Sequence, residues 1–208
     1  MSDSHFDENY FLHGKELGIS GYTDYRWLPD LTIPMACTIV SHLGIKPADS
    51  VLDFGCARGY LVRAMCELGY DAWGADTSEW AVANCDPSVA SRIRTDLVGQ
   101  FDWIIAKDVL EHVPRVDRKI NELLEHARRG LFVVVPLSKF DFAPYVIPDY
   151  EGDVTHLQRH SLMTWVNKFI RQGWRVEASY RVPGVKDNWW RPGWEMGNGF
   201  IVARRIVE

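Results

Sequence analysis

The sequence has no C-x-x-C pair. Its four cysteines, Cys37, Cys56, Cys66 and Cys85, stand well apart with no histidine at zinc-ligand spacing, which argues against a structural zinc site and a dense disulfide framework. Reduced thiols, a cytoplasmic setting and no bound metal are therefore expected. An excess of base is also missing. With 23 Lys+Arg against 28 Asp+Glu and a net charge of -5, no strong field draws the chain to phosphate backbones or anionic lipid, so neither nucleic acid nor a membrane is expected as partner. The roughly 18-residue apolar run that would span a bilayer is absent, and the opening MSDSHFDENYFLHG carries acids where a secretion signal carries bases. Internal repeats and linkers are lacking too, which favours one domain.

What is present is a chain of 208 residues, 47% hydrophobic and 12% aromatic, able to bury a substantial core. Residues 1–29 are polar and aromatic without sustained period and read as a leading arm or lid with one short helix; residues 30–208 read as the domain. From Asp30, the apolar positions Ile33, Cys37, Val40 and Leu43 predict an amphipathic helix stopped by Gly44. SVLDFG, at 50–55, predicts a strand, and Leu61, Val62, Met65 and Leu68 predict the helix after it, closed by Gly69. Further strands are expected at 71–75, 89–95, 101–107 and 131–136, with a helix capped by Ser78 and another through Val116, Ile120, Leu123, Leu124 and Ala127. Strands alternating with helices require a parallel sheet with right-handed crossovers. The pair Arg128-Arg129 reads as the basic end of a helix. After a Pro- and aromatic-rich loop, a helix with Leu162, Trp165, Val166, Phe169 and Ile170 inward precedes two last strands at 174–182 and 199–206. The insertion between them holds Trp189, Trp190 and Trp194, which suit either stacking on an acceptor or anchoring the loop.

In a doubly wound sheet the first strand-to-helix turn approaches the ligand most closely. Here it is Asp53-Phe54-Gly55-Cys56-Ala57-Arg58-Gly59-Tyr60, whose small residues let a ligand lie against the backbone. Ala57 and Tyr60 stand where a dinucleotide fingerprint wants glycine, and no G-K-[ST] follows, so a pyrophosphate is disfavoured and a Walker loop excluded. Asp76, 17 residues after Gly59, ends the second strand where a carboxylate can accept from both hydroxyls of a ribose.

Together VLDFGCARGY, GADTSEWAV, RTDLV and FDWIIAKDVLEHVP resemble, in order and spacing, the class I S-adenosylmethionine-dependent methyltransferases. The resemblance implies a Rossmann-like, doubly wound, mostly parallel seven-stranded sheet with an antiparallel C-terminal strand, and S-adenosylmethionine as cofactor. It places Asp53, Gly55, Ala57 and Gly59 in the nucleotide loop, with Cys56 and Tyr60 beside them. Asp76 falls at the ribose with Thr77 next to it, Asp96 and Leu97 at the adenine, and Lys107 with Asp108 near the methionine part. Ala57 stands where the family usually has glycine.

Methyl transfer needs donor and acceptor aligned in a dry pocket; a hydroxyl acceptor also needs a base. His112, just past the strand at 101–107, and His156 are the candidates, with His160 near the latter. The exit KDVLEH is neither an N/D-P-P-Y motif nor a Pro-Cys nucleophile, which leaves an O or N atom of a small molecule as the expected methyl acceptor. Two other readings stay open on the residues: a cofactor-binding protein without catalysis that acts through partners, and an NAD-dependent oxidoreductase.

Overall fold

The computed structural model of the chain describes residues 5–206. Strands β1 (Ser50–Phe54), β2 (Asp71–Ala75), β3 (Ile93–Arg94), β4 (Phe101–Lys107) and β5 (Ala127–Pro136) run parallel, while β7 (Asn198–Arg204) lies antiparallel between β5 and β6 (Arg175–Ser179). The sheet order is β3-β2-β1-β4-β5-β7-β6. The chain therefore winds outward from β1 in one direction and resumes on its other side with β4. That reversal falls at the carboxyl ends of β1 and β4, the place where such sheets take ligands.

The alternation of side chains along each strand separates two cores. Val51, Ile105, Phe132 and Val134 pack on one face under helices α3 (Pro29–Leu43) and α4 (Tyr60–Glu67), which contribute Ile39, Leu43, Val62 and Met65. Leu52, Ile104, Val133 and Val135 pack on the other under α6 (Val116–His126) and α7 (Leu162–Ile170), through Ile120, Leu123, Trp165 and Phe169. Both faces being covered explains why β4 and β5 read as continuous apolar runs. The short helix α5 (Glu79–Ala83) starts at Ser78, whose hydroxyl accepts from the Ala81 N–H at 2.9 Å.

Several expectations change. The arm holds two short helices, α1 (Glu8–Leu12) and α2 (Gly14–Leu17), not one; its first four residues lie outside the described part. The buried stripe of α3 runs through Thr32, Ala36, Ile39, Val40 and Leu43, leaving Cys37 in solvent, because burial selects the i, i+4, i+7 row that faces the sheet. The strand expected at 89–95 shrinks to Ile93–Arg94, since 90–92 form a 3-10 turn. Ile170 is half exposed at the end of α7. Arg128 and Arg129 belong to β5 instead of a helix end. They face carboxylates there, Arg129 lying 3.1 Å from Asp49 and 3.4 Å from Asp102. Among the described residues, no helix is long and apolar enough to cross a membrane.

Helix α7 supplies a paired test of this packing. Phe169 is fully buried and Met163 is 62% exposed on the same helix. Phe169→Ala is expected to lower unfolding free energy by about 3–5 kcal/mol, and Met163→Ala to change it by under about 0.5 kcal/mol, both read from urea midpoints; equal effects would refute the assigned inner face.

Candidate functional site

The turn leaving β1 is built on left-handed backbone: φ is 78° at Gly55, 48° at Ala57 and 77° at Gly59. A side chain at Gly55 would also collide, its Cβ falling 2.3 Å from Val109 Cγ2. Ala57 holds this conformation although it carries a Cβ. Its N–H donates to Asp76 Oδ2 at 2.7 Å, and the other oxygen of Asp76 accepts from the Ser78 N–H at 2.8 Å. Asp76 thus ties the end of β2 to the turn, and a carboxylate oxygen that accepts one bond retains capacity for another.

The remaining expected cofactor residues are placed differently, and Asp96 is not brought to this turn but lines a groove with Ser50, Asp71 and Phe101, the first residues of β1, β2 and β4. Asp53 is buried in β1, and burial, partly offset by Lys107 and reinforced by Asp76, raises its carboxyl to about 7. Cys56 is buried with its thiol directed at the Ala57 carbonyl, 3.7 Å away. Tyr60 opens α4 and stacks on Tyr25 with ring centroids 5.3 Å apart. Thr77 and Asp96 are exposed, and Leu97 is half-buried against the core that holds Leu52 and Phe54.

The arm lies directly on the turn. Tyr10 and Phe11 are buried in one cluster with Ala57 and Ala81, Phe11 stacks on Trp80 at 5.6 Å, and Arg58 Nη1 donates to the Tyr25 carbonyl at 3.2 Å. The Ser78 hydroxyl, besides capping α5, donates to the Phe6 carbonyl.

Beyond β4 the chain turns through Asp108, whose φ is 57°. Its two oxygens each accept a 2.6 Å bond, from Lys107 Nζ and from Lys186 Nζ in the excursion between β6 and β7. Burial opposes the charge on Asp108, yet the two ammonium groups hold its carboxyl well below the ordinary range. The next turn carries Glu111 and His112. Burial, with Asp108 nearby, pushes Glu111 well above the ordinary carboxyl value. His112 and His156 meet with ring centroids 4.7 Å apart. Burial and the neighbouring His156 lower His112 to about 4, and burial lowers His156 as well. Both rings are therefore neutral near pH 7, each with an unprotonated nitrogen in a half-buried place. His112 Nδ1 is 2.8 Å from Thr155 Oγ1, and the Thr155 hydroxyl donates to Asp153, which also accepts from the Tyr10 hydroxyl at 2.8 Å.

His160 belongs elsewhere, edge-on to Trp165 and near Asp141. Trp189 and Trp194 stack on one another at 5.9 Å while Trp189 meets Tyr150 at 5.1 Å, so these rings anchor the excursion to the rest of the site; Trp190 is more open and lies under Arg181. Glu111, Tyr150, Asp153, Thr155 and Lys186 were not singled out from the sequence. The Asp153-x-Thr155-His156 run carried a local signal, an Asx turn in which Asp153 accepts from the Thr155 N–H at 2.9 Å. Lys186 carried none, because its partner is 78 residues away.

Residues 34–179, the larger part of the chain, match the family model described as a methyltransferase domain. The mitochondrial ubiquinone biosynthesis O-methyltransferase of Saccharomyces cerevisiae is 22% identical over 235 residues, covering 94% of this chain and 74% of that protein. The magnesium protoporphyrin IX methyltransferase of Synechocystis PCC 6803, solved with bound S-adenosylmethionine, superposes with a TM-score of 0.59 at 19% identity, over 84% of this chain and 79% of the other. An S-adenosylmethionine-dependent methyltransferase from Archaeoglobus fulgidus gives 0.61 at 16% identity, over 82% and 92%. At these identities the two solved structures speak for the fold, while the family model speaks for descent. The glycine turn, the acid after β2 and the matched domain lead to one conclusion: the chain belongs to the class I S-adenosylmethionine-dependent methyltransferases.

Proposed function

We propose that this methyltransferase alkylates an O or N atom of a small organic acceptor, with a hydroxyl oxygen the better fit. The observation that carries the reading is the half-buried, neutral His112–His156 pair standing past the end of β4. An amine that is already neutral needs little help as a nucleophile, whereas a hydroxyl must lose a proton as the methyl arrives. A pair of neutral imidazoles is therefore better explained by oxygen. The yeast relative is named as an O-methyltransferase, which supports the same choice.

The residues present fit the cofactor. The turn at Gly55–Gly59 has backbone shaped for close approach, with no room for a Cβ at Gly55. S-adenosylmethionine, when bound, supplies a methyl carbon activated by its sulfonium. Asp76 would accept from the ribose hydroxyls, Asp96 and Leu97 would serve the adenine, and Asp53 would attract the methionine ammonium, with Lys107 and Asp108 at that end. Gly55, Cys56, Ala57, Gly59, Tyr60 and Thr77 form the wall between. His112 and His156 orient the acceptor and take up its proton. The described part of the arm, residues 5–29, acts as a lid that keeps water out, which helps because alignment in a dry space supplies most of what this displacement requires.

Calorimetry on the purified chain is expected to give dissociation constants on the order of micromolar for S-adenosylmethionine and its demethylated product, and no binding of NAD. Asp76→Ala should weaken both sulfur ligands by about tenfold or more while the chain still folds, because it removes a charge-assisted contact. A folded protein indifferent to both compounds would overturn the proposal, and unchanged affinity in the variant would remove Asp76 from the site.

The Asp53 carboxyl at about 7 sets a sign for pH. It is neutral below that value and ionised above it, and only the ionised form attracts a cationic ligand. Affinity for S-adenosylmethionine should therefore rise between pH 6 and 8, and Asp53→Asn should flatten the rise; the same slope in both proteins would exclude Asp53 as its origin.

A further inference from the structure

We propose that Glu111, His112 and His156 form a binding site for a divalent first-row transition cation, such as Mn2+ or Zn2+, at the acceptor end of the cleft. Ligand-type atoms of these three side chains lie within 4.8 Å of one another. The hydrogen bonds around the rings fix which nitrogens are available. The Thr155 hydroxyl gives its own proton to Asp153 Oδ1, so its oxygen accepts from His112 Nδ1, 2.8 Å away. The Tyr150 main-chain carbonyl can only accept, so His156 Nδ1 carries the proton across 2.9 Å. Each ring is thereby left with its lone pair on Nε2. An oxygen acceptor behind the non-ligating nitrogen is the means by which proteins orient imidazoles on a metal.

Glu111 supplies an independent observation. It is 1% exposed, and its Oε2 has no hydrogen-bond partner among the described residues. A buried carboxyl oxygen without a donor is destabilising, and a cation held by the two imidazoles would satisfy it. The surroundings accommodate added positive charge: Asp153 Oδ2 lies 3.9 Å from His156 Nε2, and the ammonium groups of Lys107 and Lys186 are engaged by Asp108. Two imidazoles and one carboxylate form a borderline donor set that suits zinc, manganese or iron better than calcium. Bonds of about 2.1 Å in a tetrahedral arrangement would set the ligand atoms about 3.4 Å apart, so the side chains, now within 4.8 Å of one another, draw in by up to about 1.4 Å on loading.

Three protein ligands leave coordination positions open, as in metal sites that act on a substrate; with the cation held, His112 and His156 would serve as ligands and not as bases, and the cation's charge would lower the pKa of a hydroxyl bound to it. The class of acceptor follows: a molecule presenting a hydroxyl, or two adjacent hydroxyls, as oxygen ligands. That last step rests on the methyl-transfer reading; the cation site itself does not.

The test uses the full chain, stripped with a chelator and titrated with Mn2+ alone and Zn2+ alone. One cation should bind per chain, with Glu111→Gln weakening it by about tenfold or more and the double change His112→Ala, His156→Ala by on the order of a hundredfold. Circular dichroism and S-adenosylmethionine titration of each variant report that it remains folded. In the unmodified protein, sub-stoichiometric Mn2+ should selectively broaden the imidazole proton resonances of His112 and His156, which reads the site without any substitution. Absence of stoichiometric binding, or binding that leaves both resonances sharp, would overturn the site. Failure to bind S-adenosylmethionine with the cation site intact would instead overturn the methyl-transfer reading alone.

Discussion

One half-buried carboxylate fixes the relation between the two halves of the site. Asp108 accepts from Lys107 beside it in the chain and from Lys186 far along it, both at 2.6 Å. Both Asp108 and Lys186 take up left-handed backbone, with φ of 57° and 60°. Non-glycine residues hold that conformation only where the surroundings over-determine it, and the paired charges supply the determination here. Lys186 then lies over the Tyr150 ring at 4.8 Å, and the Tyr150 hydroxyl donates to Asn198 Oδ1 at 2.7 Å. A chain of contacts therefore runs from the end of β4 through the late excursion to the start of β7, and the turn bearing Glu111 and His112 is stationed beside it.

The donor side depends on shorter-range order. Asp76 grips the Ala57 and Ser78 amides, and Ser78 in turn caps α5 and reaches Phe6. The fold brings β1 and β2 side by side with Asp53 opposite Gly74 and Phe54 opposite Ala75. Once that register is set, the acid after β2 has little choice but to face the turn after β1. The ribose-binding role proposed for Asp76 thus shares its carboxylate with a structural one.

This difference in range accounts for what the sequence made legible. The strands at 50–54, 71–75 and 101–107 and the helix after Ser78 follow from local period and capping, and they appear with nearly the expected bounds. The glycine turn and Asp76 were readable because they sit within a few tens of residues on consecutive elements. Packing decided the rest. Cys37 fits a helical apolar row yet faces solvent, and Arg128 and Arg129 fit a helix end yet sit in β5, since carboxylates of neighbouring segments meet them there. Around the His112–His156 pair, Tyr10, Glu111, Asp153 and Lys186 come from four distant segments, and no spacing rule joins them.

The antiparallel seat of β7 between β5 and β6 carries a consequence for diversification. It returns an excursion of the chain, residues 180–197, to the crevice without threading it through the nucleotide side. Chemistry presented from that rim can be rewritten by insertion or substitution while the parallel strands, their register and the glycine bend stay as they are. A scaffold so divided keeps one reagent constant and leaves the clientele open to change.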